Sequence, residues 1–164
     1  MSKKMTIIII IILVLVVVII FQQMSIIDAR KKAGEFIYSN IDSLHSDVQF
    51  SRNKILNTEN RISTGAMDTI NDNFTYQNVK IFTIYTHVIY ILEDINRLER
   101  TTNNEEYLKV KESLLIKLED LLEALDTIEE DCKDEPINYY YLKYEDNNST
   151  MEKVKQILNY NKRK

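Results

Sequence analysis

Two glycines, one proline, one cysteine, two histidines and no tryptophan stand in a chain of 164 residues. Gly34, Gly65 and Pro136 are too few breakers for the many tight turns of a β-sandwich or barrel, whereas long uninterrupted helices need none. Cys132 alone cannot build a disulfide framework. The sparse glycines offer no phosphate-cradling loop, and no nucleophile motif or paired-cysteine metal site is present. Positive charge is short as well. The 21 basic residues face 25 acidic ones, and without Lys3 and Lys4 the remainder carries a net charge of −6. Nucleic acid binding requires a surplus of positive charge on one face, so it is not expected.

One apolar feature dominates what is there. Residues 6–21, TIIIIIILVLVVVIIF, contain no charge, glycine or proline. Counted from Met5, the run makes ~26 Å of helix, near the lower limit for a bilayer core. In lipid the backbone must bond to itself, so this Ile/Val run has no alternative to helix. Lys3 and Lys4 precede it, but the small residues of a signal-peptidase site do not follow it. The expectation is an uncleaved signal anchor over residues 1–27, a single-pass cell-membrane protein with its body outside the cytoplasm.

The rest, 28–164, reads as one helical body. Ile27, Ile41, Val48, Ile55 and Ile62 keep a seven-residue spacing in which Gly34 is the exception; Ile37 and Leu44 hold a second position, later taken by Ser51 and Thr58. This stripe suits a bundle helix running straight out of the membrane, or else the seam of a parallel coiled-coil dimer. Gly65 is placed for a left-handed cap and Asp68 for the start of a second helix. Apolar residues from Ile70 to Leu98 then recur at three- and four-residue steps. Thr102-x-x-Glu105, or Asn103-x-x-Glu106 one residue on, is a capping box ahead of a third helix rich in leucine. The acids Glu129, Glu130, Asp131, Asp134 and Glu135 close that helix against its dipole, so some local force must tolerate them. Residues 137–144, INYYYLKY, fit either a short helix begun by Pro136 or an extended aromatic stretch. Ser149-x-x-Glu152 caps a last helix.

The fold expected is therefore all-α: an N-terminal transmembrane helix followed by an up-down-up-down antiparallel bundle. Its helices fall at about 28–63, 68–100, 103–132 and 137–161, the last broken near 145–149. In that topology the basic tail, Lys162, Arg163 and Lys164, would return to the bilayer, where each basic residue adds about 1 kcal/mol on an anionic surface. Tyr139, Tyr140, Tyr141 and Tyr144 are the candidate surface for a ligand or partner. Asp42-x-x-His45 puts a carboxylate and an imidazole on one helical face, but bundle metal sites need a second such motif, so a surface hydrogen bond is expected there. His87, between Ile84 and Ile91, is expected to be partly buried and hydrogen-bonded.

The N-terminal span, His87 followed by Glu93-Asp94-Ile95 and Leu98, and the helix over 105–128 together resemble a bacterial family known as domain of unknown function 4363. This chain lacks the tryptophan that such proteins place before the histidine. The resemblance implies a small helical envelope protein and no site residues. No catalytic residue, metal or cofactor is expected, and the chain is not read as an enzyme. The function expected is a structural or protein-interaction role at the cell envelope, with membrane lipid and an envelope protein or a second copy as partners. Two alternatives stay open: a ligand-binding sensor accessory acting through a partner, and a cytoplasm-facing membrane-anchored adaptor.

Overall fold

In a computed structural model, which describes residues 3–58, 61–75, 81–133, 135–144 and 148–160, every regular element is helical. The six helices are α1 (Lys3–Leu56), α2 (Thr64–Thr75), α3 (Phe82–Arg100), α4 (Asn104–Cys132), α5 (Pro136–Tyr144) and α6 (Ser149–Tyr160). Over its apolar N-terminal part, α1 is long and apolar enough to cross a membrane, and the side chains of that part are exposed among the described residues.

The apolar run and the first body helix are one element. With no proline and no glycine before Gly34, nothing interrupts the backbone, and α1 runs 54 residues, ~81 Å at 1.5 Å per residue. Its second half supplies one side of the core: Ile37, Ile41, Leu44, Val48 and Ile55 are buried together with Ile62 beyond its end. From Ile41 to Ile62 the seven-residue stripe is thus buried inside the body, whereas Ile27 is exposed.

Three contacts fix the direction of α4 against α1. His45 meets Asp126, Arg52 meets Glu119, and Thr58 meets Lys111, so rising numbers on one helix face falling numbers on the other. In the same way His87, Asp94 and Arg97 of α3 meet Lys117, Ser113 and Glu106 of α4. The last helix starts beside Asp131 and ends with Leu158 near His87, so it runs from the anchor end of the body outward. The basic residues Lys162, Arg163 and Lys164 that follow it lie outside the described residues.

Several boundaries differ from the sequence expectation. The helix expected over 28–63 ends at Leu56, and Gly65 is not a left-handed cap: it lies in the first turn of α2 with negative φ. Thr64 opens α2 ahead of Asp68, because the Ser63 carbonyl already accepts the amides of Ala66 and Met67. The helix expected over 68–100 is two, α2 and α3. Of the two capping registers, Asn103 is used, its Oδ1 accepting the Glu106 amide at 3.1 Å. Asn148 caps α6 in place of Ser149, accepting from the Thr150 amide at 3.0 Å. The left-handed residue that terminates α4 is Lys133, with φ of 49°. Residues 137–144 are helical, Pro136 holding the first position where its missing N–H costs nothing.

Gly34 has a steric reason for breaking the stripe. Pro136 begins α5 so close to α1 that a Cβ on residue 34 would overlap the Pro136 carbonyl. Gly34→Ala should therefore push α5 away or cost ~1–3 kcal/mol by overpacking, read by denaturant unfolding of the detergent-solubilised protein. Unchanged stability and unchanged α5 protection from hydrogen exchange would contradict that contact. Ser51, in the stripe, is fully buried and its hydroxyl has no partner among the described residues. Since such a group is desolvated without return, Ser51→Ala should be neutral or stabilising by about 1 kcal/mol in the same assay. A loss of that size would show that the hydroxyl is bonded.

Candidate functional site

At the anchor end the chain changes from the apolar run to Arg30, Lys31 and Lys32, and there α5 lies on α1. The Arg30 guanidinium sits 5.5 Å from the centre of the Tyr140 ring and donates a long hydrogen bond, 3.4 Å, to the Tyr141 hydroxyl. Tyr139 points the other way. It is fully buried and meets the Tyr38 ring edge-on with centroids 5.0 Å apart. Of the tyrosines proposed as a surface, Tyr139 is thus core, Tyr140 and Tyr141 are half-buried around Arg30, and the side chain of Tyr144 lies outside the described residues.

Further along the α1–α4 seam, His45 does not rely on Asp42. Its Nε2 lies 2.9 Å from Asp126 Oδ1 on the facing helix, and Glu129 stands one turn beyond Asp126. One donor atom from each of His45, Asp126 and Glu129 falls within 4.8 Å of the others. The helical spacing of Asp126 and Glu129 is legible in the sequence, but their meeting with His45 depends on the register of two helices far apart in the chain.

The other polar centre joins α3 to α4. His87 is buried, as expected, with Nε2 2.9 Å from the Lys117 carbonyl oxygen. Asp94 is buried too, accepting from Lys117 Nζ at 2.6 Å and Ser113 Oγ at 2.9 Å. Sequence reasoning missed Asp94, although its place on the face of Ile91, Ile95 and Leu98 was a signal. A buried carboxylate needs such partners, so the contact selects the register of α3 on α4.

The acids at the end of α4 are tolerated through α6. Lys153 and Thr150 bond the Asp131 carboxylate at 2.7 and 2.9 Å and hold its pKa below the ordinary 3.8. Next to it, burial and then the Asp131 charge push the Cys132 thiol up to about 12, so it is a protonated, inert core residue at neutral pH.

The described cavities lie elsewhere. An open cleft of about 590 Å³ at the α3–α4 turn is lined by Arg97, Arg100 and Glu106, and one of about 330 Å³ beside it by Arg61, Met67 and Tyr107. Arg61 closes that end, donating to the carbonyls of Thr101 and Thr102 at 2.6 Å each while its guanidinium covers the Tyr107 ring. A third cleft, about 280 Å³, lies between α3 and α6. None of these three is lined by α5. On α3, Phe82, Tyr85 and Ile89 stand 82%, 51% and 36% exposed, an apolar row beside the buried face of Ile84, Val88 and Ile91.

Comparison with protein families, with curated proteins and with solved structures finds no match for this chain.

The Asp131 contact carries a pH prediction. A carboxylate with a lowered folded pKa contributes stability above its ordinary value, and the contribution is lost as pH falls through the folded value. Amide exchange in α6 should therefore quicken below about pH 3.8 relative to α3. In Asp131→Asn it should be quicker at neutral pH and less dependent on acid. Equal pH profiles for the two proteins would remove Asp131 as the tie.

Proposed function

We propose that this chain is a single-pass membrane-tethered helical protein whose body, a helical bundle in which α4 runs opposite to α1, α3 and α6, docks another envelope protein. In this reading Lys3 and Lys4 stay on the cytoplasmic side of the span and the body lies outside. The observation that carries the docking role is the apolar row of Phe82, Tyr85 and Ile89 exposed on α3. What supports the reading is that the three are neighbours on one helix face and form a patch, where single scattered apolar residues would need no explanation.

Three side chains are a small contact. Stable interfaces bury far more, so this row alone supports only weak binding in free solution. The anchor changes that. Confining two partners to one membrane raises their effective concentration, and contacts too weak for solution become sufficient. A continuous α1 supports the same reading, because a rigid stalk presents the face of α3 at a fixed height above the bilayer.

Photo-crosslinking in living cells tests the proposal. A photoreactive residue at position 85 should give one discrete heavier adduct with a membrane or envelope protein, lost when Phe82→Lys and Ile89→Lys are added. A probe at position 123, on exposed α4, is the control. No adduct above that control would overturn the docking role, and an adduct of twice the chain's mass would replace the envelope partner by a second copy.

A further inference from the structure

We propose that His45, Asp126 and Glu129 form a site for a divalent first-row transition ion of the Zn²⁺ type, bridging α1 and α4. One donor atom from each lies within 4.8 Å of the others, contributed by two helices that the core already holds together. The imidazole Nε2 faces the same point as the Asp126 carboxylate, 2.9 Å away.

The ordinary alternative is an ion pair between His45 and Asp126. That pair accounts for two of the three groups. Glu129, one turn along α4, adds a second carboxylate within 4.8 Å of the same imidazole, which makes the group a set of three ligands and not a pair. The distances suit a small ion. With metal–nitrogen and metal–oxygen bonds of about 2.0–2.2 Å, neighbouring ligands of a tetrahedral ion stand roughly 3.3 Å apart. The His45–Asp126 separation needs only slight opening, and Glu129 would exchange its present contact for the ion by rotation about its own side-chain bonds.

Donor chemistry selects the class of ion. Imidazole nitrogen with carboxylate oxygen suits zinc and its neighbours, whereas magnesium and calcium prefer all-oxygen sets. The Asp126 side chain is 60% exposed and that of His45 23%, so the ion would enter from solvent and keep a water in its fourth position. Buried residues on both helices, Leu44 and Val48 on α1 and Leu125 and Ile128 on α4, hold the two backbones in place before any ion arrives. Such an ion would bind the folded chain and not the unfolded one, pinning the stalk to the helix against which most of the body packs.

The test uses the metal-stripped full-length protein in nanodiscs, with ZnCl₂ or MgCl₂ as the probe and thermal unfolding as the readout. Zn²⁺ at a hundredfold over its dissociation constant should raise the midpoint by roughly 5 °C or more, and Mg²⁺ should not. His45→Gln and Glu129→Gln should each remove most of the shift, and cobalt should show tetrahedral visible absorption in the parent protein only. Glu129→Gln leaves the His45–Asp126 pair intact, so it decides the matter if His45→Gln fails to fold. No shift with zinc, an equal shift with magnesium, or an undiminished shift in Glu129→Gln would overturn the site.

Discussion

The unbroken backbone of α1 is the constraint on which the rest of the structure depends. Inside a bilayer no water can satisfy a peptide group, so the Ile/Val run is forced into helix although those residues are poor helix formers in water. The chain offers no break where the run ends. The helix therefore continues into 28–56, and where the run crosses a bilayer the conformation that lipid imposes on it would carry over to that segment with the cost of nucleation already met. Everything that packs later must fit the face that α1 presents.

That face is completed mainly by α4. On one side α4 meets α1, on another α3, and at its end α6, and at each junction a charged contact accompanies the apolar one. The contacts are unequal. Arg52–Glu119 and Arg97–Glu106 are exposed, contributing at most about 1 kcal/mol each, so they decorate a register set by the core. Asp94, buried against Lys117 and Ser113, acts differently: losing a partner would leave a desolvated charge, which penalises any shift of α3 along α4. Arg61, bonded to the carbonyls at the α3–α4 turn, does similar work at the outer end.

Much of this was legible in the sequence, for physical reasons that also mark where legibility stopped. The one helix long and apolar enough to span could be read because an uncharged run of sixteen residues, fifteen of them apolar, has few uses, and the helical class because breakers are scarce. Asn103 was readable as a cap only to within one residue, since Thr102 and Asn103 both have a glutamate three positions on; side-chain geometry decided between them. Gly65 misled because a glycine after a periodic stretch can begin a helix as well as end one. Gly34 looked like a flaw in the stripe, and its cause, the close approach of Pro136, lies a hundred residues away. The same distance hid the meeting of His45 with Asp126 and the burial of Tyr139, which depend on long-range register that no local pattern encodes.

The central claim is that anchor and body share one rigid helix, and a distance measured along it tests that claim most directly. Spin labels at Gln22→Cys and Phe50→Cys in nanodisc-embedded protein, with native Cys132 buried and unreactive, span the junction between membrane and body. A continuous α1 predicts a narrow distribution centred near 42 Å, from 28 residues at about 1.5 Å each. A broad distribution or a clearly shorter mean would mean a hinge between the span and the body. The stalk would then set neither the height nor the facing of α3.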